Sequence, residues 1–376
     1  MFNEVGKRSI KICLFDKNSS KSDVVNTMGN EILDPICIEC SVIDGIDGTG
    51  ELDATFIVSD SGLHEKITQE AILKVKVDYG YEIYRIASIT RQVNIITVFA
   101  RQITISETLD MWCDNIYVPT AGVNWVLTRL LNDSVGNKNI EVSSNITVAN
   151  TVRYVNMSMY EAIHNNNNGI LSVWSGEIQR RGYRLTINDR IGEDNHVEIR
   201  SGKNLTGFEE SIDISEVVTR IKAYGSDNLY ANQLVDSPLI NNYTSVKTAV
   251  FEYSDVRVKT NPNDPDEEGF NTAAEARAEL LRRARLEFSQ NKIDEPKANY
   301  IINFVYLGDT EEYKIYSIFE QVNIGDTVYV YEKSHNINVA VRVISKKYDV
   351  LNQKILEVEL SNYIVKNKKG RVRYAK

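Results

Sequence analysis

The sequence predicts a β-rich α+β fold: two antiparallel β-domains flanking an inserted mixed α/β domain. Three observations carry this. Apolar and polar side chains alternate from Ile10 to Ala100, helical spacing replaces the alternation after Thr104, and the alternation returns from Tyr300 onward. With 376 residues, the chain has room for two to four domains at roughly 100 to 200 residues each. We place the first β-domain at 1–104, completed by 216–245, the mixed insert at 105–215, and the second β-domain at 246–376 with an amphipathic helix over 272–290.

In the first region Leu52, Ala54, Phe56 and Val58 lie two apart, and Val75 and Val77 are flanked by Lys74, Lys76 and Asp78. Such spacing puts one set of side chains on one face of a strand. Asp78-Tyr79-Gly80 separates Val75–Val77 from Ile83–Ile86 as a hairpin turn would, and Asp44-Gly45, Asp47-Gly48 and Gly50 cluster at another turn. After Thr120, the residues Val123, Val126, Leu127, Leu130 and Leu131 share a helical face, so a helix is expected from about Ala121. A second helix is expected from Ser158, where Ser158 and Glu161 have capping-box spacing, with Asn165 to Gly169 ending it. Short strands follow around Trp174, Arg184–Ile187 and Val197–Ile199, broken by Gly182, Gly192 and Gly202.

Asn261 to Gly269 contains two prolines and four acids, cannot pair in a central strand, and is expected to be exposed. Thr272 and Glu275 then form a second capping box. Ala273, Ala276, Leu280, Ala284 and Phe288 lie opposite Glu275, Glu279, Arg282, Arg283 and Glu287, which makes this the clearest helix of the chain. Beyond it, Ile302, Phe304 and Tyr306, then Val328 and Val330, Val339, Val341 and Val343, and Ile355, Val358 and Leu360 resume the strand pattern.

Composition excludes several functions. Hydrophobic content of 42% and charged content of 25% fit a soluble globular chain. No apolar run approaches the roughly 18 residues that span a bilayer, so no membrane segment is expected. The stretch Ile10 to Phe15 is interrupted by Lys11 and has no cleavage site after it, so no secretory signal is read there. A net charge of −9 argues against a binder that works by neutralising phosphates. Four cysteines, at 13, 37, 40 and 113, are too few for a disulfide framework and fit free thiols in a reducing cytosol.

No catalytic or metal constellation is legible, and no cofactor is expected. Cys37-Ile38-Glu39-Cys40 lacks the further ligands of a zinc site, and residues three apart on a strand should face opposite sides. His64, His164, His196 and His335 are scattered. A Cys113–His164 nucleophile pair would need an activated thiolate, whereas Cys113 sits beside Trp112 in what reads as a packed turn. The acid pairs Glu209-Glu210 and Glu311-Glu312 read as solvated loops. The 20 tyrosines are spread along strands, where they cover half-buried sheet rather than form a sugar-binding surface.

Several stretches resemble the N-terminal module of phage tail-associated lysins, the prophage tail endopeptidase family of baseplate hub proteins. They are Trp174-Ser175-Gly176-Glu177, Gly202-Lys203-Asn204-Leu205, and Val217-Val218-Thr219-Arg220 running to Tyr224-Gly225. Ser237-Pro238, Asn242-Tyr243, Gly325-Asp326-Thr327-Val328, Arg342-Val343 and Glu357 to Asn362 follow in family order. The resemblance covers nearly the whole chain and is weakest before Ile72. It implies two tube-like antiparallel β-barrel domains with inserted domains, three copies forming a ring of pseudo-sixfold symmetry.

The functional expectation is therefore a homotrimeric structural hub at the virion tail tip or baseplate, assembled in the bacterial host cytoplasm. Its expected partners are a distal tail protein or tail tube protein on one side and a spike, fibre or lysin on the other, with the tape measure protein or DNA passing through the channel. The matching positions Gly202, Lys203, Asn204, Leu205, Thr219, Arg220, Tyr224, Gly225, Gly325, Asp326 and Arg342 read as structural. Gly202 and Gly325 suit turns with unusual backbone angles, Asp326 suits a turn cap, and Arg220 suits an ion pair between strands. None is a nucleophile, so the endopeptidase activity in the family's name is not expected here. A peptidoglycan endopeptidase and a host-receptor-binding protein are the alternative readings. The basic tail Lys366, Lys368, Lys369, Arg371, Arg373 and Lys376 follows the last family position.

Overall fold

The computed structural model describes residues 10–165, 168–263, 269–304, 322–362 and 371–374. They form two compact units, one from the described parts of Met1–Glu209 and Tyr300–Asn367, the other from those of Glu210–Asn299 and Lys368–Lys376.

The first unit begins with β1 (Ile12–Phe15), α1 (Lys21–Asn26), β2 (Glu31–Ile32), β3 (Cys37–Gly45) and β4 (Gly50–Ile57). A 3-10 turn at Leu63–Lys66 leads to β5 (Ile72–Val77), β6 (Gly80–Arg91) and β7 (Ile95–Gln102). The alternation read from Leu52 to Phe56 is the burial pattern of β4, where Leu52, Ala54 and Phe56 are buried and Asp53 and Ile57 are exposed, whereas Val58 lies beyond the strand and is exposed. The hairpin read across Asp78–Gly80 joins β5 to β6 in antiparallel register, Val77 opposite Gly80.

One expectation fails at β3. Cys37 and Cys40 pack into the same core, Cys40 buried within it and Cys37 against its edge. A β-bulge between Cys37 and Glu39 inserts an extra residue against β4, so both Ile38 and Glu39 face outward and the face alternation slips by one. Both cysteines are free thiols.

The next stretch holds α2 (Ile103–Asp110), β8 (Trp112–Ala121), α3 (Val123–Asp133), β9 (Glu141–Ser144) and β10 (Asn150–Ser158). It continues through α4 (Met159–His164), α5 (Ile170–Trp174), β11 (Glu177–Arg181) and β12 (Arg184–Asn188). Helix α3 starts two residues after the expected Ala121, and the apolar face Val123, Val126, Leu127 and Leu130 is fully buried. Helix α4 carries the expected capping box, with Ser158 Oγ accepting from the Glu161 N–H and the Glu161 carboxylate accepting from the Ser158 N–H. Helix α2 has no sequence counterpart in the reading above. Its residues Ile103 and Thr104 are buried but its threonine and serine content lacks a helical stripe. Cys113 lies on strand β8, not in a turn. A core around Met111, Leu127, Tyr154, Ile163 and Leu185 binds these elements together.

After β13 (Val197–Arg200), β14 (Leu205–Asp213) carries the chain out of the first unit. The second unit contains β15 (Arg220–Gly225), β16 (Tyr230–Asp236), β17 (Thr248–Tyr253) and α6 (Ala273–Ser289). Strand β18 (Lys297–Phe304) returns to the first unit, which adds β19 (Thr327–Glu332), β20 (Ile337–Asp349) and β21 (Lys354–Ser361). Strand β22 (Arg371–Tyr374) pairs with β17.

Thirteen strands of the first unit form one sheet in the order β14-β18-β21-β20-β3-β4-β7-β6-β5-β1-β2, with β19 pairing β20 and β13 pairing β19. Its described path has ends at β14 and β2 and does not close on itself. The joint is β20. Its thirteen residues pair with β19 and β21, while Ser345–Asp349 also pair with Gly45–Ser41 of β3.

The second unit is a four-stranded sheet, β16-β15-β17-β22, covered by α6. Ile221, Ala223 and Phe251 meet Ala276, Leu280, Ala284 and Phe288, the helical stripe read in the sequence. Thr272 and Glu275 form the expected capping box. These pairings divide the chain differently from the 216–245 and 246–376 boundaries. Strands β15 and β16 share a sheet with β17, β15 pairing antiparallel with β16 and parallel with β17, rather than extending the N-terminal strands, because partners are chosen by complementary faces and not by distance along the chain. Asn261, Pro262 and Asn263 are exposed. Residues 264–268, Tyr306, Glu311-Glu312, Lys366, Lys368, Lys369 and Lys376 lie outside the described residues.

Candidate functional site

The densest polar construction of the first unit is built on the β11–β12 hairpin, whose side chains reach in three directions. Glu177, 2% exposed, takes a two-point ion pair from Arg342 on β20, with Nη1 to Oε1 at 2.5 Å and Nη2 to Oε2 at 2.9 Å. The same guanidinium donates to the carbonyls of Ile191 and Gly325 at 2.8 Å each. A planar guanidinium in this position fixes three backbone segments at once.

Around it, Gly325 (φ +88°) and Gly192 (φ +75°) cross so closely that a Cβ on Gly192 would lie 2.1 Å from the Gly325 carbonyl carbon. Asp326 caps the turn, accepting from the Asn323 and Glu193 N–H groups at 2.8 Å each.

Three residues along β11, Arg180 is buried. Its Nε donates to the Gly48 carbonyl at 2.7 Å and its Nη1 to Thr104 Oγ1 at 2.8 Å. Burial lowers its pKa to about 10, so it stays charged at neutral pH. His164 faces it at 3.5 Å, and burial together with that neighbouring charge holds the imidazole down at about 4. The His164 ring stacks on Tyr160.

Arg181 lies over the Tyr79 ring at 3.7 Å and 3.8 Å from Asp44. The adjacent Gly182 N–H donates to Glu82 Oε1, which also accepts from Ile83 N–H and Gln102 Nε2. Glu82 is 1% exposed, and burial raises its pKa to about 7. Lys346, buried on β20, donates to Asp78 at 2.6 Å. These clusters are assembled from β3, β6, α2, α4, β11 and β20, so they tie the inserted elements to the large sheet.

Such an arrangement clamps the segments it joins. Cys113 Sγ lies 3.2 Å from Ser134 Oγ with its thiol pKa raised by burial, and His164 is engaged with Arg180. Among the described residues no group of three or more His, Cys, Asp or Glu could hold a metal ion. No helix among them is long and apolar enough to cross a membrane.

Residues 193–367 match the prophage endopeptidase tail family. This stretch resembles a prophage tail module. Solved structures share its fold at low identity. Prophage tail protein gp18 from Listeria monocytogenes EGD-e aligns with a TM-score of 0.60 and 14% identity, covering 94% of each chain. The prophage MuSo2 43 kDa tail protein from Shewanella oneidensis aligns at 0.57 and 11% identity, covering 86% of this chain and 94% of that one. The tail protein from Neisseria meningitidis MC58 aligns at 0.56 and 10%, covering 87% and 91%. No curated protein sequence matches the chain.

The family-like positions fall in three places, two in the first unit and one in the second. Gly202 (φ +79°) turns β13 into β14, and the buried Asn204 accepts from Arg200 N–H and donates to the Glu198 carbonyl. Lys203 donates its N–H to Arg200 in the same turn, and Leu205 opens β14. Gly325, Asp326 and Arg342 meet in the clamp, whose acid, Glu177, lies outside the matched stretch. In the second unit, the buried Thr219 hydroxyl accepts from Lys247 N–H, and Arg220 forms a two-point pair with Asp236 across β15–β16. Tyr224 packs against Tyr230, and a Cβ on Gly225 would lie 2.2 Å from the Val256 oxygen. Sequence reading missed Glu82, Arg180 and Glu177 as buried charges. Glu82 sits at an inward phase of β6 between Tyr81 and Ile83, which is the one signal the sequence offers.

Proposed function

We propose that this chain is the structural hub at the distal end of a phage tail or phage-tail-like particle, without catalytic activity of its own. A homotrimer would join a sixfold tail tube and distal tail protein to a threefold spike, fibre or lysin around a channel for the tape measure protein or DNA. The observation that carries this is the sheet itself. Strands from 12–102 and from 197–361 meet at β20 and β3 as two adjoining strand systems in one chain. Three chains with two such systems offer six related surfaces, which resolves a sixfold-to-threefold mismatch by closed symmetry. In this reading 1–104 and the C-terminal β-region line the tube and 105–215 is an insertion. The net charge of −9 keeps phosphates from adhering to the channel wall.

Light scattering of the full chain, alone and with its distal tail protein, tests the proposal. A mass of three chains supports it. A monomer that persists with the distal tail protein present overturns it. Peptidoglycan zymography runs alongside, because clearing by the purified chain would favour the endopeptidase reading instead.

A further inference from the structure

Strand β16 is the edge of the four-stranded sheet, and its outward backbone can be assigned. The Ser237 N–H bonds inward to the Thr219 carbonyl, and Ile221 lies opposite Val235. Antiparallel ladders alternate bonded and non-bonded pairs. Leu234, opposite Lys222, and Asp236, opposite Arg220, therefore turn their N–H and C=O groups away from β15. The Leu234 side chain is 40% exposed.

Beside this edge is a cavity of about 600 Å³ between the end of β16 and the last turns of α6, with Leu234, Leu239 and Phe288 among its walls. Two features of its lining point to a peptide. Asp294 is 3% exposed, its Oδ2 takes the Ser237 hydroxyl, and its Oδ1 has no hydrogen-bond partner. A buried acceptor without a donor is unfavourable, and an incoming N–H would satisfy it. Arg285, on the exposed flank of α6, carries no ion pair among the described residues and also lines the cavity.

We propose that the β16 edge and this cavity bind an extended segment of a partner protein, rich in apolar residues and carrying a carboxylate. The segment pairs along Leu234 and Asp236 as an added strand and buries an apolar side chain against Leu239 and Phe288. It offers a donor to Asp294 and sets its carboxylate on Arg285. Main-chain pairing supplies affinity in this mode and the side-chain pocket supplies selectivity. The proposal does not depend on the hub reading.

The test is fluorescence polarisation of the full chain with a labelled synthetic peptide of alternating threonine and valine, with one central leucine and one glutamate. Saturable binding is expected. Leu234→Pro removes an outward N–H without touching the β15 ladder and weakens binding at least about tenfold. Arg285→Glu weakens it similarly, and a peptide with lysine in place of glutamate restores it. Equal thermal midpoints of the variants show that they fold. No saturable binding, or binding unchanged by both substitutions, overturns the proposal. So does a chain-to-chain dimer abolished by Leu234→Pro, which would make the occupant a second copy.

Discussion

Arg342 and Glu177 are 165 residues apart in sequence and form a two-point ion pair in which the acid is buried. The pair joins a strand of the hairpin to the strand at the centre of the large sheet. Glu177→Ala leaves the guanidinium partly buried and removes the acceptor for the Ile191 N–H. A loss of about 3–5 kcal/mol is expected, typical of breaking a buried pair from one side. Urea unfolding of Glu177→Ala, Arg342→Ala and the double variant checks it, and the double variant should lose less than the sum of the singles.

The crossing of Gly192 and Gly325 makes a second prediction. Both have positive φ, and a methyl group at either collides with the other loop's backbone or with Ile191. Gly192→Ala should cost more than the about 1 kcal/mol of conformational strain alone. Amide exchange should show the loss first at Gly325 N–H and Thr327 N–H, which are bonded to Val343 and Glu193.

Glu82 and His164 titrate with opposite consequences. Glu82 has a folded pKa of about 7 against 4.5, so the stability it contributes is complete below pH 4.5 and is lost as pH rises through 7. His164 has a folded pKa of about 4 against 6.5, so its contribution is complete above pH 6.5 and is lost as pH falls through 4. Each amounts to about 3 kcal/mol, and across pH 4.5–6.5 they offset. Glu82→Gln keeps the acceptor that Gly182, Ile83 and Gln102 use, and should leave stability rising with pH over that window. His164→Gln should leave it falling. Thermal midpoints across the window decide, and two flat profiles would contradict the assignment.

In the second unit, burial separates two neighbours. Thr219 is fully buried and its hydroxyl accepts from Lys247, whereas the Arg220–Asp236 pair is exposed. Thr219→Val should cost about 1–3 kcal/mol by stranding the Lys247 N–H. Arg220→Ala should leave the unfolding midpoint within experimental error, since exposed pairs are screened.

What the sequence made legible follows from local physics. The capping boxes at Ser158 and Thr272, the hairpin at Asp78–Gly80 and the stripe of α6 each depend on residues within a few positions of each other. Helix α2 was hidden because its buried face includes Thr104 and Thr108, whose hydroxyls are satisfied by Gln102 and backbone carbonyls. The Cys37–Cys40 facing failed through one bulge. The clamp was half visible: Gly325, Asp326 and Arg342 stood out, but Glu177 is assigned to Arg342 only by the folded sheet.

The β20–β3 joint also sets a timetable. Ser41–Gly45 wait for Ser345–Asp349, some three hundred residues later, so the strands before them leave the ribosome with one edge bare until β20 has been made. Long-range pairing of this kind is slow and exposes unpaired edges to other chains. Nascent copies made side by side on one message present matching bare edges, and an exchange of β20 between them would let the order of translation set which copies assemble together.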